Sequence, residues 1–319
     1  MTKPTIKTVT CVGAGLIGRG WIFIFSRAGC RTRVFDNESA QLEKARDWFD
    51  NTLIQDVVDG FMTDAAAAAA SKLVSFHTNL REAVSGADYI QESVPEIMEI
   101  KKATFAEIDR CADSKAIIGS SASSIDINEF TKGLAGVNRC ILAHPFNPPH
   151  VIPAVEVMPT KKTDAEVTER TIKFLQSLGQ KPMLMNFYSV GYLINRIQAA
   201  VVREALHLVE SGLCDVEAVD TAIKDGLALR WAVLGNFGTN HTNATGGIRD
   251  YYTRYGKSVY SVIMNDLNST PPSFDEAMID QIGTQVDAMY PGRSVEKIAR
   301  WRDKMVRKIR ICKEENHTS

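Results

Sequence analysis

The sequence lacks the features that mark membrane, secreted and nucleic-acid-binding proteins. No apolar run reaches the roughly 20 residues of a membrane-spanning helix, and the first residues lead into a strand without an apolar signal segment. The net charge is only −1 over 319 residues and no basic stripe is evident, so a nucleic-acid partner is not expected. These absences predict a cytoplasmic protein without a membrane or nucleic-acid partner.

Cysteines are few and show no pattern. The six cysteines form no CxxC pair and have no histidine at a zinc-finger spacing, so we expect no metal site. Free thiols in a reducing compartment are the expected state. The remaining composition, 45% hydrophobic and 24% charged, is that of an ordinary globular protein, and the length indicates about two domains.

A glycine-rich turn follows the first predicted strand, residues 6–12. Its GxGxxG glycines are Gly13, Gly15 and Gly18, and a helical pattern and a second strand lead from them to Asp36. In such a unit the glycines allow a tight turn, close approach of a pyrophosphate to the helix N-terminus, and close packing of helix on strand. An acid about 20 residues further on accepts hydrogen bonds from a ribose. The complete unit predicts a dinucleotide site rather than a glycine turn without a ligand.

The acid also selects the cofactor, because the carboxylate of Asp36 repels the 2′-phosphate of NADP. NAD is therefore the predicted cofactor. The predicted contacts at the turn and the first helical turn are Gly13, Gly15, Leu16, Ile17, Gly18 and Asp36.

Strand and helix patterns alternate up to about residue 188 and only helical patterns follow. This predicts an α/β fold, a Rossmann-type doubly wound sheet with a C-terminal all-helical domain. We expect an NAD-binding domain over 1–188, with a helical insertion at about 39–72, and a helical substrate and dimerisation domain over 189–319. The long apolar helix at 193–211 is typical of one buried by other helices or by a second subunit.

A proline-stiffened turn separates two apolar runs at 141–145 and 154–157. His144 lies before this turn, Asn147 lies within it, and Glu156 is the one acid in the second run. A buried acid is costly without a partner, so we expect Glu156 to pair with His144 and the pair to move a proton. His150 is the nearest alternative base.

Other polar residues follow neighbouring strands. Glu96 and Lys101 come after the strand that ends near residue 90, and a serine cluster at 120–124 follows the next strand. Strand ends in this fold point at the cofactor crevice. We therefore expect these groups and His144 to meet at one cleft, although some of the serines serve as helix caps.

With these residues in view the chain resembles the 3-hydroxyacyl-CoA dehydrogenase family. The resemblance covers nearly the whole chain and is most specific in the lambda-crystallin branch, whose vertebrate member is L-gulonate 3-dehydrogenase. It is carried by the motifs GAGLIGRGW (13–21), IQESVPE (90–96), HPFNPP (144–149) with Glu156, GYLINR (191–196) and WRD (301–303).

The resemblance implies the roles of several residues. His144 would be the catalytic base and Glu156 would orient it, while Ser123, Asn147 and Asn195 would surround the substrate or hold the catalytic group. Ser123 and Asn147 would also border the cofactor. Glu96 and Lys101 would contact the cofactor ribose. A homodimer is expected through the helical domain.

The substrate stays open among branches. After Lys224-Asp-Gly226 the chain departs from the pattern of CoA-using members and resembles gulonate and L-carnitine dehydrogenases. Arg230 is then a candidate for binding a substrate carboxylate, because its planar fork matches one bidentately; a salt bridge at the surface or between subunits is the alternative.

The predicted activity is NAD-dependent oxidation of the 3-hydroxyl of a small hydroxy acid, as in L-gulonate 3-dehydrogenase. L-Carnitine and 3-hydroxyacyl-CoA are the alternative substrates. A crystallin-like, NAD-binding structural role is the non-catalytic alternative, since lambda-crystallins also resemble this chain.

Overall fold

The computed structural model describes residues 6–267 and 269–316. The chain divides between Ile194 and Asn195 into two compact units. The first unit is a sheet with helices on both faces, and the second is helical in its described residues. This confirms the predicted fold class. The first unit continues past the boundary expected near residue 188 because hydrogen bonds tie the segment 188–194 to it.

One eight-stranded sheet organises the first unit. Its order is β3-β2-β1-β4-β5-β6-β7-β8, in which β6 and β7 are antiparallel and all other neighbours are parallel. The strand order reverses between β1 and β4, the point at which such sheets bind nucleotides. The strands are β1 (Thr8–Val12), β2 (Arg31–Phe35), β3 (Val74–His77), β4 (Tyr89–Glu92), β5 (Ile117–Ser120), β6 (Cys140–Pro145), β7 (Ala154–Pro159) and β8 (Lys181–Leu184).

Helices cover both faces of this sheet. Two of them, α2 and α3, lie between β2 and β3, and a 3₁₀ turn at Val137–Arg139 precedes β6. The helices of the first unit are α1 (Leu16–Arg27), α2 (Ser39–Val58), α3 (Asp64–Ser71), α4 (Leu80–Val84), α5 (Met98–Cys111), α6 (Ile127–Phe130) and α7 (Ala165–Ser177).

The core is split into two layers by the sheet. One layer holds the apolar faces of α1, α2, α3 and α7, including Phe25 and Phe174, whose rings stack at 5.8 Å. The other holds α4, α5 and α6, including Phe105 and Phe130. Consecutive residues of β5 enter different layers, Ile117 the first and Ile118 the second, as the two-residue period of a strand requires.

The second unit contains no strand among its described residues. Its first helix is α8 (Ile194–Glu210), whose first residue is the last residue of the first unit. The segments Ala222–Leu227 and Gly256–Tyr260 are π-helical. None of the helices within 6–267 and 269–316 is long and apolar enough to cross a membrane. The other α-helices are α9 (Val216–Thr221), α10 (Ala228–Thr242), α11 (Gly247–Tyr255), α12 (Ser261–Asp266), α13 (Glu276–Met289) and α14 (Val295–Glu315).

Candidate active site

The glycine-rich turn joins β1 to α1 with little space to spare at two of its glycines. Gly13 has φ +97°, and a Cβ there would lie 2.7 Å from the carbonyl oxygen of Ser93. A Cβ on Gly18 would lie 1.9 Å from the carbonyl oxygen of Gly13. At Gly15, in contrast, a Cβ would have no atom within 4 Å. The open space at Gly15, next to the helix N-terminus, is where the fold family places a pyrophosphate, and it fits one.

Asp36 is fixed beside this turn. Its Oδ2 accepts a hydrogen bond from Ala14 N at 2.8 Å and its Oδ1 accepts one from Glu38 N at 3.0 Å. The carboxylate is partly exposed, which leaves it accessible to ribose hydroxyls. Leu16 is exposed and Ile17 is partly buried in the first turn of α1. The contacts of these residues with NAD stay predictions.

The carboxyl ends of four strands lie side by side. Val12 pairs with Glu92, Glu92 pairs with Ser120, and Ser120 pairs with Leu142, two residues before His144. The loops that follow β1, β4, β5 and β6 therefore leave the sheet at one edge. The glycine turn, Glu96, the serine cluster and His144 are brought to that edge, as the sequence predicts.

His144 and Glu156 face each other across the antiparallel pair β6–β7. His144 Nδ1 and Glu156 Oε2 are 2.7 Å apart, and both side chains are buried. This confirms the predicted pairing. Because Glu156 accepts from Nδ1, the proton of a neutral ring lies on that nitrogen, and Nε2 is the basic atom.

The second oxygen of Glu156 has its own donors. The backbone amides of Leu193 and Ile194 donate to Oε1 at 2.8 and 2.7 Å. Burial works to raise the pKa of Glu156, but the hydrogen bond with His144 and those from Ile194 and Leu193 outweigh it, so that the pKa is lowered. Glu156 therefore stays ionised and can stabilise an imidazolium.

His150, the alternative base, has different surroundings. Its ring packs edge-on against Phe23 and Trp48, with centroid separations of 5.8 and 5.0 Å. His144 has a buried carboxylate hydrogen-bonded to its ring, and its role as the base stays a prediction.

Glu96 holds the loop that carries the serine cluster. Its Oε1 accepts hydrogen bonds from the amides of Ser123, Ser124 and Ile125 at 2.8–3.0 Å. Its Oε2 lies 3.3 Å from Lys101 Nζ. Partial burial works to raise the pKa of Glu96, but the Lys101 charge and the hydrogen bonds from Ser124 and Ile125 prevail and lower it.

Lys101 is fully buried and paired with two carboxylates. Its Nζ lies 2.9 Å from Glu92 Oε1 and also contacts Glu96. Lys101 thus reaches the site through Glu96, and a direct contact of Lys101 with the cofactor ribose stays a prediction that its position does not favour. Glu92, in turn, accepts hydrogen bonds from Val94 N at 2.8 Å and Ser120 Oγ at 2.5 Å.

Ser123 and Asn147 lie on loops at the same edge of the sheet. The Ser123 amide is bound by Glu96, while its hydroxyl has no hydrogen-bond partner among the described residues. Asn147 is exposed in the turn after β6. Their predicted contacts with substrate and cofactor stay predictions.

Two predicted substrate residues belong to the second unit. Asn195 is partly buried in the first turn of α8, and Arg230 is exposed on α10. The charge of Arg230 acts on Tyr260, whose pKa is raised to about 12 mainly by its hydrogen bond with Tyr251, then by partial burial, with Arg230 acting in the opposite direction. Tyr260 belongs to a group of four tyrosines in ring contact, Tyr251, Tyr252, Tyr255 and Tyr260.

Two groups at the site were missed from the sequence. Glu92 lies within the motif 90–96 without a predicted role, although a charged residue in a buried strand, like Glu156, signals a partner. Tyr192 packs against the His144 ring at 5.3 Å between centroids, and its place in an apolar stretch of the motif 191–196 carries no such signal.

Potential metal ligands and cysteines are the remaining groups that could carry chemistry in the described residues. No group of three or more His, Cys, Asp or Glu side chains among residues 6–267 and 269–316 could hold a metal ion. All six cysteines are free thiols. Burial raises the pKa of Cys140 to about 12 and that of Cys11 further, so these two are unreactive at neutral pH.

The comparisons with known proteins match both units. Residues 8–187 match the NAD binding domain of 3-hydroxyacyl-CoA dehydrogenase, and residues 191–286 match the C-terminal domain of the same family. The lambda-crystallin homolog of Mus musculus is 34% identical over 98% of this chain and 98% of its own length. The L-carnitine dehydrogenase of Oceanobacillus iheyensis is also 34% identical, over 95% of this chain and 97% of its own.

A solved structure is similar over the full length. The NAD+-dependent 5-formyl-3-hydroxy-2-methylpyridine 4-carboxylic acid 5-dehydrogenase superimposes with a TM-score of 0.79 at 25% identity, covering 97% of this chain and 99% of that one. The similar identities of the crystallin and carnitine dehydrogenase relatives leave the substrate undecided between those branches.

Proposed function

The chain belongs to the 3-hydroxyacyl-CoA dehydrogenase family and is an NAD-dependent dehydrogenase, and from this premise we propose that it oxidises the 3-hydroxyl of a small hydroxy acid such as L-gulonate. The observation that carries the proposal is the 2.7 Å pair of His144 and Glu156 at the sheet edge that also carries the glycine-rich turn. We further propose that the protein acts as a cytoplasmic homodimer.

In this reaction His144 Nε2 takes the proton of the substrate hydroxyl, while the C3–H bond breaks with its electron pair and C3 becomes a carbonyl carbon. Glu156 keeps the imidazole in the required tautomer and stabilises the imidazolium as it forms. NAD, when bound, supplies the acceptor for the hydride. Ser123 and Asn147 donate to the substrate oxygen as its charge develops.

Gly13, Gly15, Gly18 and the first turn of α1 would hold the pyrophosphate of the cofactor, and Asp36 would accept from its adenosine ribose. Space at Gly15 and the partly exposed Asp36 carboxylate support this assignment. Glu96 would border the nicotinamide ribose, with Lys101 behind it.

The substitution His144→Gln tests the assigned base. We expect it to keep NADH binding, because His144 lies outside the glycine turn, and to reduce kcat by roughly 10²–10⁴, the usual contribution of a general base. Fluorescence titration with NADH and initial rates of NADH formation measure the two quantities. A variant that turns over at near the wild-type rate would refute the role of His144.

L-Carnitine is the second candidate substrate, and the tyrosine group around Tyr251 is the observation in its favour, because aromatic faces bind quaternary ammonium groups. The positive charge of Arg230, which acts on Tyr260, opposes a cation at that tyrosine and so argues against the quaternary ammonium group of L-carnitine. A carboxylate ligand role of Arg230 would suit either acid.

NADH formation with L-gulonate, L-carnitine, free 3-hydroxybutyrate and its CoA thioester separates these possibilities. We expect the highest kcat/KM with L-gulonate. Preference for L-carnitine would assign the carnitine branch, and a requirement for the thioester would remove the carboxylate-binding role of Arg230. Tight NADH binding without turnover of any of the four would favour the crystallin-like structural role.

A further inference from the structure

The segment 188–194, between β8 and α8, contacts both halves of the candidate site. The Tyr188 hydroxyl donates to the carbonyl oxygen of Ser124 at 2.6 Å, on the loop that carries Ser123. Five residues later the amides of Leu193 and Ile194 donate to Glu156. The segment thus ties the serine loop to the carboxylate behind the base.

Tyr192 is the central residue of this segment and has an unusual backbone. Its φ is +47°, and Phe274 is the other non-glycine residue with a positive φ among those the structure describes. A bulky residue adopts this region at a cost and only where its surroundings require it, and such residues cluster at functional sites. Tyr192 also follows Gly191, whose φ is +77°. Two successive left-handed residues turn the chain sharply just before the amides that bind Glu156.

The ring of Tyr192 is buried against the catalytic pair. Only 2% of the residue is exposed, and its ring lies 5.3 Å from that of His144, tilted by 59°. Tyr188 also packs edge-on against Tyr192, with ring centroids 5.9 Å apart. The Tyr192 hydroxyl makes a long hydrogen bond, 3.4 Å, to the Ile125 carbonyl oxygen. The ring, rather than the hydroxyl, therefore makes the principal contact.

His144 is accordingly held from two directions. Glu156 fixes Nδ1, and the Tyr192 ring limits how far the imidazole can swing about its side-chain bonds. Glu156 cannot rotate without losing the two amide hydrogen bonds at its other oxygen. Such restraint keeps a base in reacting geometry, where a displacement of about 1 Å can cost roughly a hundredfold in rate.

We propose that Tyr192 is a positioning residue of this dehydrogenase: its ring holds the His144 imidazole, and its left-handed backbone directs the Leu193 and Ile194 amides to Glu156. The inference rests on the proposed role of His144 as the base. It adds no group that touches the substrate, so its effect should fall on kcat and not on the binding of NADH or substrate.

The test compares Tyr192→Leu, which removes the ring, with Tyr192→Phe, which keeps it. We expect Tyr192→Leu to lower kcat by roughly ten- to a hundredfold with KM and the NADH Kd within about threefold of wild type. Tyr192→Phe should restore kcat to within about threefold, because the hydroxyl contact is long. Phe174→Leu is the matched control, since Phe174 is a buried ring that packs on Phe25 and Tyr89 and should leave kcat unchanged.

The proposal is overturned if Tyr192→Leu keeps its kcat, if its KM and NADH Kd change as much as kcat does, or if the Phe174→Leu control loses as much turnover. If the leucine variant does not fold, Tyr192→Met, with a longer side chain, takes its place under the same criteria. Failure of the proposed function can be told apart from failure of this inference. A His144→Gln variant with near-wild-type turnover would contradict the role of His144 as the base. An inactive His144→Gln together with a fully active Tyr192→Leu would contradict only the role of Tyr192.

Discussion

Glu156 shows at the scale of one residue how a buried charge is tolerated. It lies in a strand of apolar neighbours and is almost inaccessible to solvent, where an unpartnered carboxylate would not stay ionised. Three donors surround it, His144 Nδ1 and the amides of Leu193 and Ile194. Each of these hydrogen bonds favours the ionised form. The arrangement fixes the charge state of Glu156 as well as its position behind the His144 ring.

The lowered pKa of Glu156 predicts how stability depends on pH. The ordinary value is 4.5 and the folded value lies below it, so in acid the unfolded chain takes up this proton first. The stabilisation is complete above about pH 4.5 and is lost as the pH falls through the folded pKa. We expect the urea midpoint of Glu156→Gln to fall less steeply than that of wild type between about pH 5 and about pH 3.

Glu43→Gln, at an exposed position on α2, is the control and should reproduce the wild-type pH dependence. If the urea midpoints of wild type and Glu156→Gln changed in parallel with pH, the hydrogen bonds to the ionised Glu156 carboxylate would not stabilise the folded protein. Glu96, whose pKa is also lowered, contributes a similar slope to all three proteins and therefore cancels in the comparison.

The sequence was sufficient to pair His144 with Glu156 because a lone acid in an apolar run demands a partner. It was not sufficient for Tyr192 or for the Glu92–Lys101 ion pair. Tyr192 acts through a left-handed φ and a ring contact with a residue 48 positions earlier, and neither leaves a periodic pattern. Glu92 and Lys101 can be matched only once the burial of α5 against the sheet is known.

At the scale of elements, the predictions succeeded where spacing alone determines structure. Strand and helix patterns alternate up to about residue 188, as the strands and helices of the first unit do, and the GxGxxG turn lies directly before α1; the five-residue helix α4, in contrast, was not predicted. The pairing of β6 with β7 determines the geometry of the candidate site, because its register places His144 opposite Glu156. A shift by one residue would turn Glu156 to the other face of the sheet. The proline turn between these strands predicts a reversal but not that register.

Two glycines of the turn before α1 should respond differently to the same substitution. Gly18→Ala would bring a Cβ to 1.9 Å from the Gly13 carbonyl oxygen, so we expect a destabilised protein that binds NADH poorly. Gly15→Ala meets nothing within 4 Å and its φ of −69° suits alanine. Its fold should be as stable as wild type, or more stable by up to about 1 kcal/mol, while its NADH affinity falls because the methyl group occupies the space for the pyrophosphate.

Thermal unfolding measures the stability of both variants, and titration with NADH measures their affinity for the cofactor. A Gly15→Ala protein that binds NADH as tightly as wild type would show that the pyrophosphate does not approach this residue. Gly29→Ala would not serve as a control, since Gly29 has φ +88° and the substitution would strain the backbone. The control is Ala40→Gly, at an exposed position on α2. It exchanges the same two residue types, alanine and glycine, outside the turn.

At the scale of the whole molecule, the second unit differs from the first in how little apolar surface it buries. The first unit contributes nearly all of the large buried side chains, whereas α8 buries only Val209 of its many apolar residues. Large apolar side chains are exposed on most helices of the second unit. Extended exposed apolar surface is typical of association sites. This supports the proposed homodimer through the helical domain, for which the sequence predicted the amphipathic helices but not which faces stay uncovered.

The proposed dimer predicts the effect of placing charges on α10. Leu229 and Val233, one helical turn apart, are 63% and 70% exposed. If a second copy covers them, the double substitution Leu229→Asp and Val233→Asp buries two unpaired charges per chain, a cost of several kcal/mol that should dissociate the assembly. Light scattering should then report twice the chain mass of 35.2 kDa for wild type and a single chain mass for the variant. Ile54→Asp with Val58→Asp, at 63% and 73% exposure on α2 of the first unit, is the matched control and should stay dimeric. A wild-type protein with the mass of one chain would refute the dimer, and a dimeric α10 variant would place the interface elsewhere.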